Sequence, residues 1–318
     1  MHKALYAWLK RQRLLITRLL TVLILSGLVY WGVKHRIAIQ QAFMAMHIIK
    51  LFSLFLLIMI GLIFATWSFT YLVRAMGYRF RYSDGYHSLN LTQMASMAPG
   101  RIWGLAGLAG LLLSRGITKT DSALIIFLNT LLMLTAAVSV GVGGLIPAIG
   151  WKYTAVCFLP MATLICCRSW IEKWHGWFST GKVHLPTNGH ILVVFLMGVL
   201  SWIAISVSFA LTVYYSNKET WPMSPWLIAS SFSAGYIGGF LSIFTPSGLG
   251  VREGIIAFLL GTVLTSEKAL TLAIIYRVIH MAVLWINISV TLIVLFFRKE
   301  KHFLSSNFNK ENRNNMKK

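Results

Sequence analysis

Apolar residues recur in long runs from Leu14 almost to Phe297, far longer than the one-sided stripe of a soluble amphipathic helix. Six segments, roughly 14–33, 48–73, 122–146, 152–167, 191–214 and 269–297, read as full membrane crossings. Between them lie two interrupted stretches. Residues 86–98 and 101–113 form short arms around Pro99-Gly100, and residues 226–244 and 251–264 form arms around Pro246. Each pair predicts a helical hairpin. At 1.5 Å per residue the short arms reach about 20 Å, less than the roughly 30 Å hydrocarbon core, so re-entrant hairpins are favoured. Residues 226–244 are long enough to cross fully, so the second hairpin is either re-entrant or a complete double crossing. The expected fold is an all-α polytopic membrane protein with about six full transmembrane helices and two re-entrant hairpins.

Composition agrees with this pattern: 57% of the 318 residues are hydrophobic, 12% are charged and mean hydropathy is +0.71. A net charge of +21 would point to nucleic acid in a soluble protein, but here most basic residues lie in short loops and at the two ends, and no nucleic-acid partner is expected. With the N-terminus inside, 20 of the 29 Lys and Arg residues are cytoplasmic, five are external, and Lys50, Arg101, Arg252 and Arg277 fall within apolar segments. That bias predicts both termini in the cytoplasm. Met1 to Arg13 is basic and leads into a full-length span without a small-residue cleavage site, which reads as a retained anchor.

This orientation makes the two halves inverted repeats. Residues 1–147 carry a hairpin (86–113) entering from inside, residues 148–297 carry one (226–264) entering from outside, and 298–318 form a basic cytoplasmic tail. Inverted repeats place substrate sites near the midplane, between broken helices.

The chemistry concentrates at the two tips. Pro99, Gly100 and Gly104 in the first, and Pro246, Gly248 and Gly250 in the second, permit tight turns and close backbone approach. Arg101 and Arg252 sit where a following helix starts, a position suited to anions, and a guanidinium there can grip phosphate through two parallel hydrogen bonds. The structural alternative pairs Arg252 with Glu253 simply to hold the hairpin, since buried charges need partners. Glu253, the sole acid placed away from a loop or tail, could instead neutralise Arg277 or take up a proton. Arg277 and His280 share a face of the last span and could line one cavity, or Arg277 could snorkel to the outer surface.

Other residue types are quiet. Cys157, Cys166 and Cys167 fall in one apolar segment and read as packing residues. Trp31, Trp151, Trp170, Trp221 and Trp226 lie near span ends as interface anchors, and 168–182 either lies on the cytoplasmic leaflet or is a plain loop. No spacing for a metal, a nucleotide phosphate or a catalytic nucleophile occurs, so catalytic residues, metals and cofactors are all expected to be none.

Pro-Ser-Gly-Leu-Gly-Val-Arg-Glu at 246–253, followed by Ala269-Leu270 and Tyr276-Arg277, together with Pro-Gly-Arg at 99–101, resembles the lysylphosphatidylglycerol synthase transmembrane-region family. The resemblance covers roughly residues 10–297 and implies a stand-alone lipid-translocating domain without the soluble synthase. That family commonly repeats an acid-arginine pair after its first hairpin, whereas here Phe127-Leu128-Asn129-Thr130-Leu131 carries no charge. The preferred reading is a flippase for an anionic or phosphate-linked lipid, with Arg101, Arg252 and Arg277 holding phosphate and Glu253 balancing charge. The alternative is an accessory subunit or transferase of glycolipid or surface-polysaccharide synthesis acting on a polyprenyl-phosphate-type lipid. Partners compatible with the sequence are a membrane phospholipid or lipid-linked head group, a second copy of the chain, and enzymes of lipid or glycan synthesis.

Overall fold

The computed structural model describes residues 33, 36, 37, 40, 46–96, 102–143, 185–217, 219–242, 248–261 and 263–315, with only the backbone of Ile102 and of 298–315. Among them are eight helices: α1 (Ile48–Ala75), α2 (Tyr82–Ser96), α3 (Ile102–Ser114), α4 (Lys119–Gly143), α5 (Asn188–Ser216), α6 (Pro225–Leu241), α7 (Val251–Leu260) and α8 (Ser266–Asn315). Four are long and apolar enough to cross a membrane: α1, α4, α5 and the part of α8 from Ser266 to Phe297. They match four of the six expected crossings within a few residues. The expected crossings at 14–33 and 152–167, together with the three cysteines and the 168–182 segment, lie outside the described residues, Val33 apart.

Large apolar side chains point outward. On α1, Ile49, Phe52, Leu56, Ile60, Ile63 and Trp67 are exposed at helical spacing, and Val278, Trp285, Ile286 and Ile293 do the same on α8. Such a surface suits a lipid environment, where water does not drive the helices together and small residues and interhelical hydrogen bonds must. The α1–α5 pair meets both needs. A Cβ on Gly61 would stand 2.5 Å from Ile205 Cγ1, so only glycine permits this approach. Along the same seam Ser201 Oγ donates to Gly61 O (2.7 Å) and Ser68 Oγ to Val194 O (3.0 Å), while the Ser53 and Tyr215 hydroxyls are 3.3 Å apart, an antiparallel register.

Short connections fix where each hairpin enters. Helices α2 and α3 start and stop where α1 ends and α4 begins: Arg115 pairs with Asp84 (2.5 Å), Arg74 Nε donates to Phe80 O (2.6 Å), and the Tyr78 hydroxyl donates to the buried Asp121, which also accepts from Thr118 (2.7 Å). At the opposite end Lys50 pairs with Glu219 (2.5 Å) and Lys268 Nζ donates to Asn217 (2.5 Å), joining the start of α1, the end of α5 and the start of α8. There the second hairpin, α6–α7, begins and ends. The two hairpins therefore enter from opposite ends. Lys50, which falls within an apolar segment of the sequence, is ion-paired here and sits over the Tyr215 ring. The Lys50 ammonium, by hydrogen bond and then by charge, holds the Glu219 carboxyl below its ordinary range.

The hairpin arms are short: α3 has 13 residues and α7 has 10, about 20 and 15 Å long. Helix α6, expected to reach residue 244, stops at Leu241 after 17 residues. Glycines let the arms touch. Cβ atoms on Gly235 and Gly238 of α6 would lie 2.5 Å from Ile256 Cγ1 and 2.2 Å from Ile255 Cδ1 of α7. Gly104 lies inside α3 and not in the turn itself; its close neighbours are Ser96 Cβ (3.0 Å) and Thr92 O (3.3 Å) of α2.

Candidate functional site

Helix α7 starts at the deep end of the second hairpin, and its first turn follows from local chemistry. Gly248 and Gly250 take φ of +69° and +81°, a left-handed backbone that favours glycine. A Cβ on Gly248 would also lie 2.7 Å from Cα and O of Gly239, so the turn lies directly against α6. Glu253, three residues into the helix, accepts the Gly250 N–H at 2.8 Å, the half of a capping box that a glycine cap allows.

The other oxygen of Glu253 accepts from Arg277 of α8, 24 residues away, and both side chains are well buried, 2% and 13% exposed. Of the arrangements left open by the sequence, this one holds: Glu253 pairs with Arg277, which is thereby kept from snorkelling. Arg252 forms no ion pair among the described residues. Its guanidinium lies over the Phe232 ring at 4.5 Å and the Tyr236 ring at 5.5 Å, a cation–π setting. The aromatic surround is itself fixed. Tyr276 stacks edge-on against Phe232 and Phe209, both at 5.1 Å, while its hydroxyl bonds Ser208 (2.7 Å) and Ile205 O (2.9 Å). Among the described residues, two guanidiniums against one carboxylate leave this cluster with a surplus positive charge.

Phe232 and Tyr236 also form a wall of a cavity of about 270 Å³. Thr66 of α1, Asn90, Gln93 and Ser96 of α2, Gly104 of α3, Asn129 and Thr130 of α4, Ser201 and Trp202 of α5, Phe240 of α6 and His280 of α8 line it as well. Ser96 and Gly104 are near the deep end of the first hairpin and Phe240 is near that of the second, while Thr66, Asn129 and Ser201 belong to the middles of their helices. The deep ends of both hairpins thus border one mid-level cavity. Trp202 is held there by its indole N–H, which donates to Met133 O (3.0 Å), and by edge contact with Tyr236 at 4.4 Å.

The sequence-derived site divides accordingly. Arg252, Glu253 and Arg277 come together around the start of α7, with His280 one turn further along α8, but only His280 reaches the cavity wall. Pro99, Gly100, Arg101 and Pro246 lie outside the described residues. Sequence reasoning overlooked the polar side of α2. Tyr86 donates to Asn287 (2.6 Å), Asn90 to Thr291 (3.0 Å), and His87 lies 3.4 Å from Thr291, which seats the first hairpin on α8. Asn287 and Thr291, polar residues four apart in an apolar span, were the available signal. It also overlooked Asp121, 1% exposed, a second buried acid beside Glu253.

Apolar membrane-length helices and two opposed helical hairpins around one mid-level cavity define a multi-pass membrane protein. Residues 16–287 match the family described as Lysylphosphatidylglycerol synthase TM region, and the chain belongs to that family. No curated protein and no solved structure matches the chain. Membership points to a lipid-related role in the membrane.

Proposed function

We propose that this protein moves an anionic lipid, or a lipid with a phosphate-linked head group, between the leaflets of a bacterial inner membrane, acting as a transporter and not as an enzyme. The surplus cation at the start of α7 carries the reading. Glu253 neutralises Arg277, so among the described residues the Arg252 guanidinium is left at an apolar depth with aromatic faces and the helix start around it. A charge so placed is costly unless something anionic joins it, and a lipid phosphate is the anion at hand. Arg101, at the start of the first hairpin's second arm, is the second phosphate ligand in this scheme.

The opposed entry of the hairpins supports an inverted repeat with re-entrant arms, in which one hairpin faces each leaflet and the cavity between them serves both. Wild-type protein reconstituted in vesicles should move a head-group-labelled anionic phospholipid, read by leaflet-specific quenching, while folded Arg252→Gln should not. Equal rates in the two would reject the assignment.

A further inference from the structure

The cavity wall is chemically unlike the Arg252 cluster behind it. Among the described residues, no Asp, Glu, Lys or Arg lines it; its polar groups are hydroxyls, amides, an indole and one imidazole, set among leucine, methionine and phenylalanine side chains. We infer that the cavity receives an uncharged, polyhydroxylated head group, a single sugar or inositol-type ring carried on a lipid. The inference rests on the lipid-translocation reading but adds what that reading leaves open, the part of the head group beyond the phosphate.

Asn129 is central. Its Oδ1 is buried without a hydrogen-bond partner among the described residues, and Asn129 lines the cavity. An unsatisfied buried acceptor is expensive, and rotation of the Asn129 amide toward the cavity would let a donor on a bound molecule remove the penalty. Amides present a donor and an acceptor side by side, and so do neighbouring hydroxyls of a polyol, so Asn129 and Gln93 match a ring bearing several hydroxyl groups. Trp202 and Tyr236 offer aromatic surface against which the C–H face of such a ring can pack.

Two observations exclude a cationic head group. A cationic head group needs an acidic wall, yet Glu253 is committed to Arg277 and to the Gly250 N–H, and the surplus Arg252 charge behind Phe232 and Tyr236 repels an ammonium. Size restricts the occupant further: about 270 Å³ falls below the roughly 300–1,000 Å³ of pockets that hold drug-sized ligands, so one ring fits while acyl chains stay outside.

The test uses the purified full chain in detergent and binding of four lipids with matched acyl chains: phosphatidylinositol, phosphatidic acid, phosphatidylethanolamine and monoglucosyl diacylglycerol. Phosphatidylinositol should bind about tenfold more tightly than phosphatidic acid, the gain from one or two additional hydrogen bonds. Asn129→Leu should erase that preference while leaving phosphatidic acid binding within about twofold, and should weaken the glucosyl lipid in parallel. Should Asn129→Leu fail to fold, Gln93→Leu on the solvent-accessible part of α2 provides the same comparison. Phosphatidic acid or phosphatidylethanolamine binding as tightly as phosphatidylinositol would overturn the inference, as would a folded variant that weakens all four lipids equally. If phosphatidylinositol and the glucosyl lipid bind alike and Arg252→Gln alters neither, the phosphate assignment fails while the polyol inference stands.

Discussion

Replacing Glu253 with Gln tests the charge cluster with little change of shape. Glutamine keeps an oxygen that can accept the Gly250 N–H, so the helix cap survives and the lost charge is the main perturbation. What remains is Arg277, 13% exposed, and Arg252 beside it, two guanidiniums with no carboxylate between them. Breaking a buried pair from one side costs about 3–5 kcal/mol because the other charge stays buried alone. That is a large share of a typical total stability of about 5–15 kcal/mol. Removing both charges, Glu253→Gln with Arg277→Gln, should restore most of the loss, since no uncompensated ion of the pair is left. Arg252→Gln alone should change stability far less, by the roughly 0.5–2 kcal/mol of a cation–π contact, yet abolish lipid movement. Unfolding in mixed micelles titrated with a denaturing detergent, followed by tryptophan fluorescence, gives the ranking. A Glu253→Gln protein as stable as the wild type, or a double variant no better than the single, would refute the pairing.

Three further outcomes follow from the geometry. Gly248→Ala should cost about 2–4 kcal/mol by the same unfolding assay, combining a left-handed backbone with a Cβ 2.7 Å from Gly239, whereas Gly254→Ala, with nothing within 4 Å, should be neutral or stabilising; equal effects would show the turn to be forgiving. Tyr276→Phe removes a buried hydroxyl that bonds Ser208 and Ile205 O and should lower stability by about 1–2 kcal/mol, with an unchanged unfolding midpoint counting against its structural role. On a background lacking Cys157, Cys166 and Cys167, a cysteine at Thr220 should react with an impermeant reagent in intact spheroplasts and one at Ser114 should not, and the reverse labelling would invert the assigned orientation.

Much of the architecture could be read along the chain. The spans expected at 48–73, 122–146, 191–214 and 269–297 reappear as Ile48–Ala75, Lys119–Gly143, Asn188–Ser216 and Ser266–Phe297, because a bilayer imposes length and apolarity on each crossing independently of its neighbours. The hairpin arms were legible for a similarly local reason, since proline removes a backbone donor and breaks a helix interior whatever its neighbours. Partner choice was not local. Glu253 ignores its neighbour Arg252 and pairs with Arg277 because adjacent helix positions point about 100° apart, so one faces α8 and the other faces the rings of α6. His280 was expected to line a cavity, but the rest of the wall was hidden: Asn90, Asn129 and Ser201 converge only because glycines such as Gly61, Gly104 and Gly235 set how closely and at what rotation their helices pack. Asn129 stood out in the sequence only as an uncharged departure from a charged pattern; its place in the cavity wall and its unpaired, buried oxygen are properties of helices brought together in three dimensions.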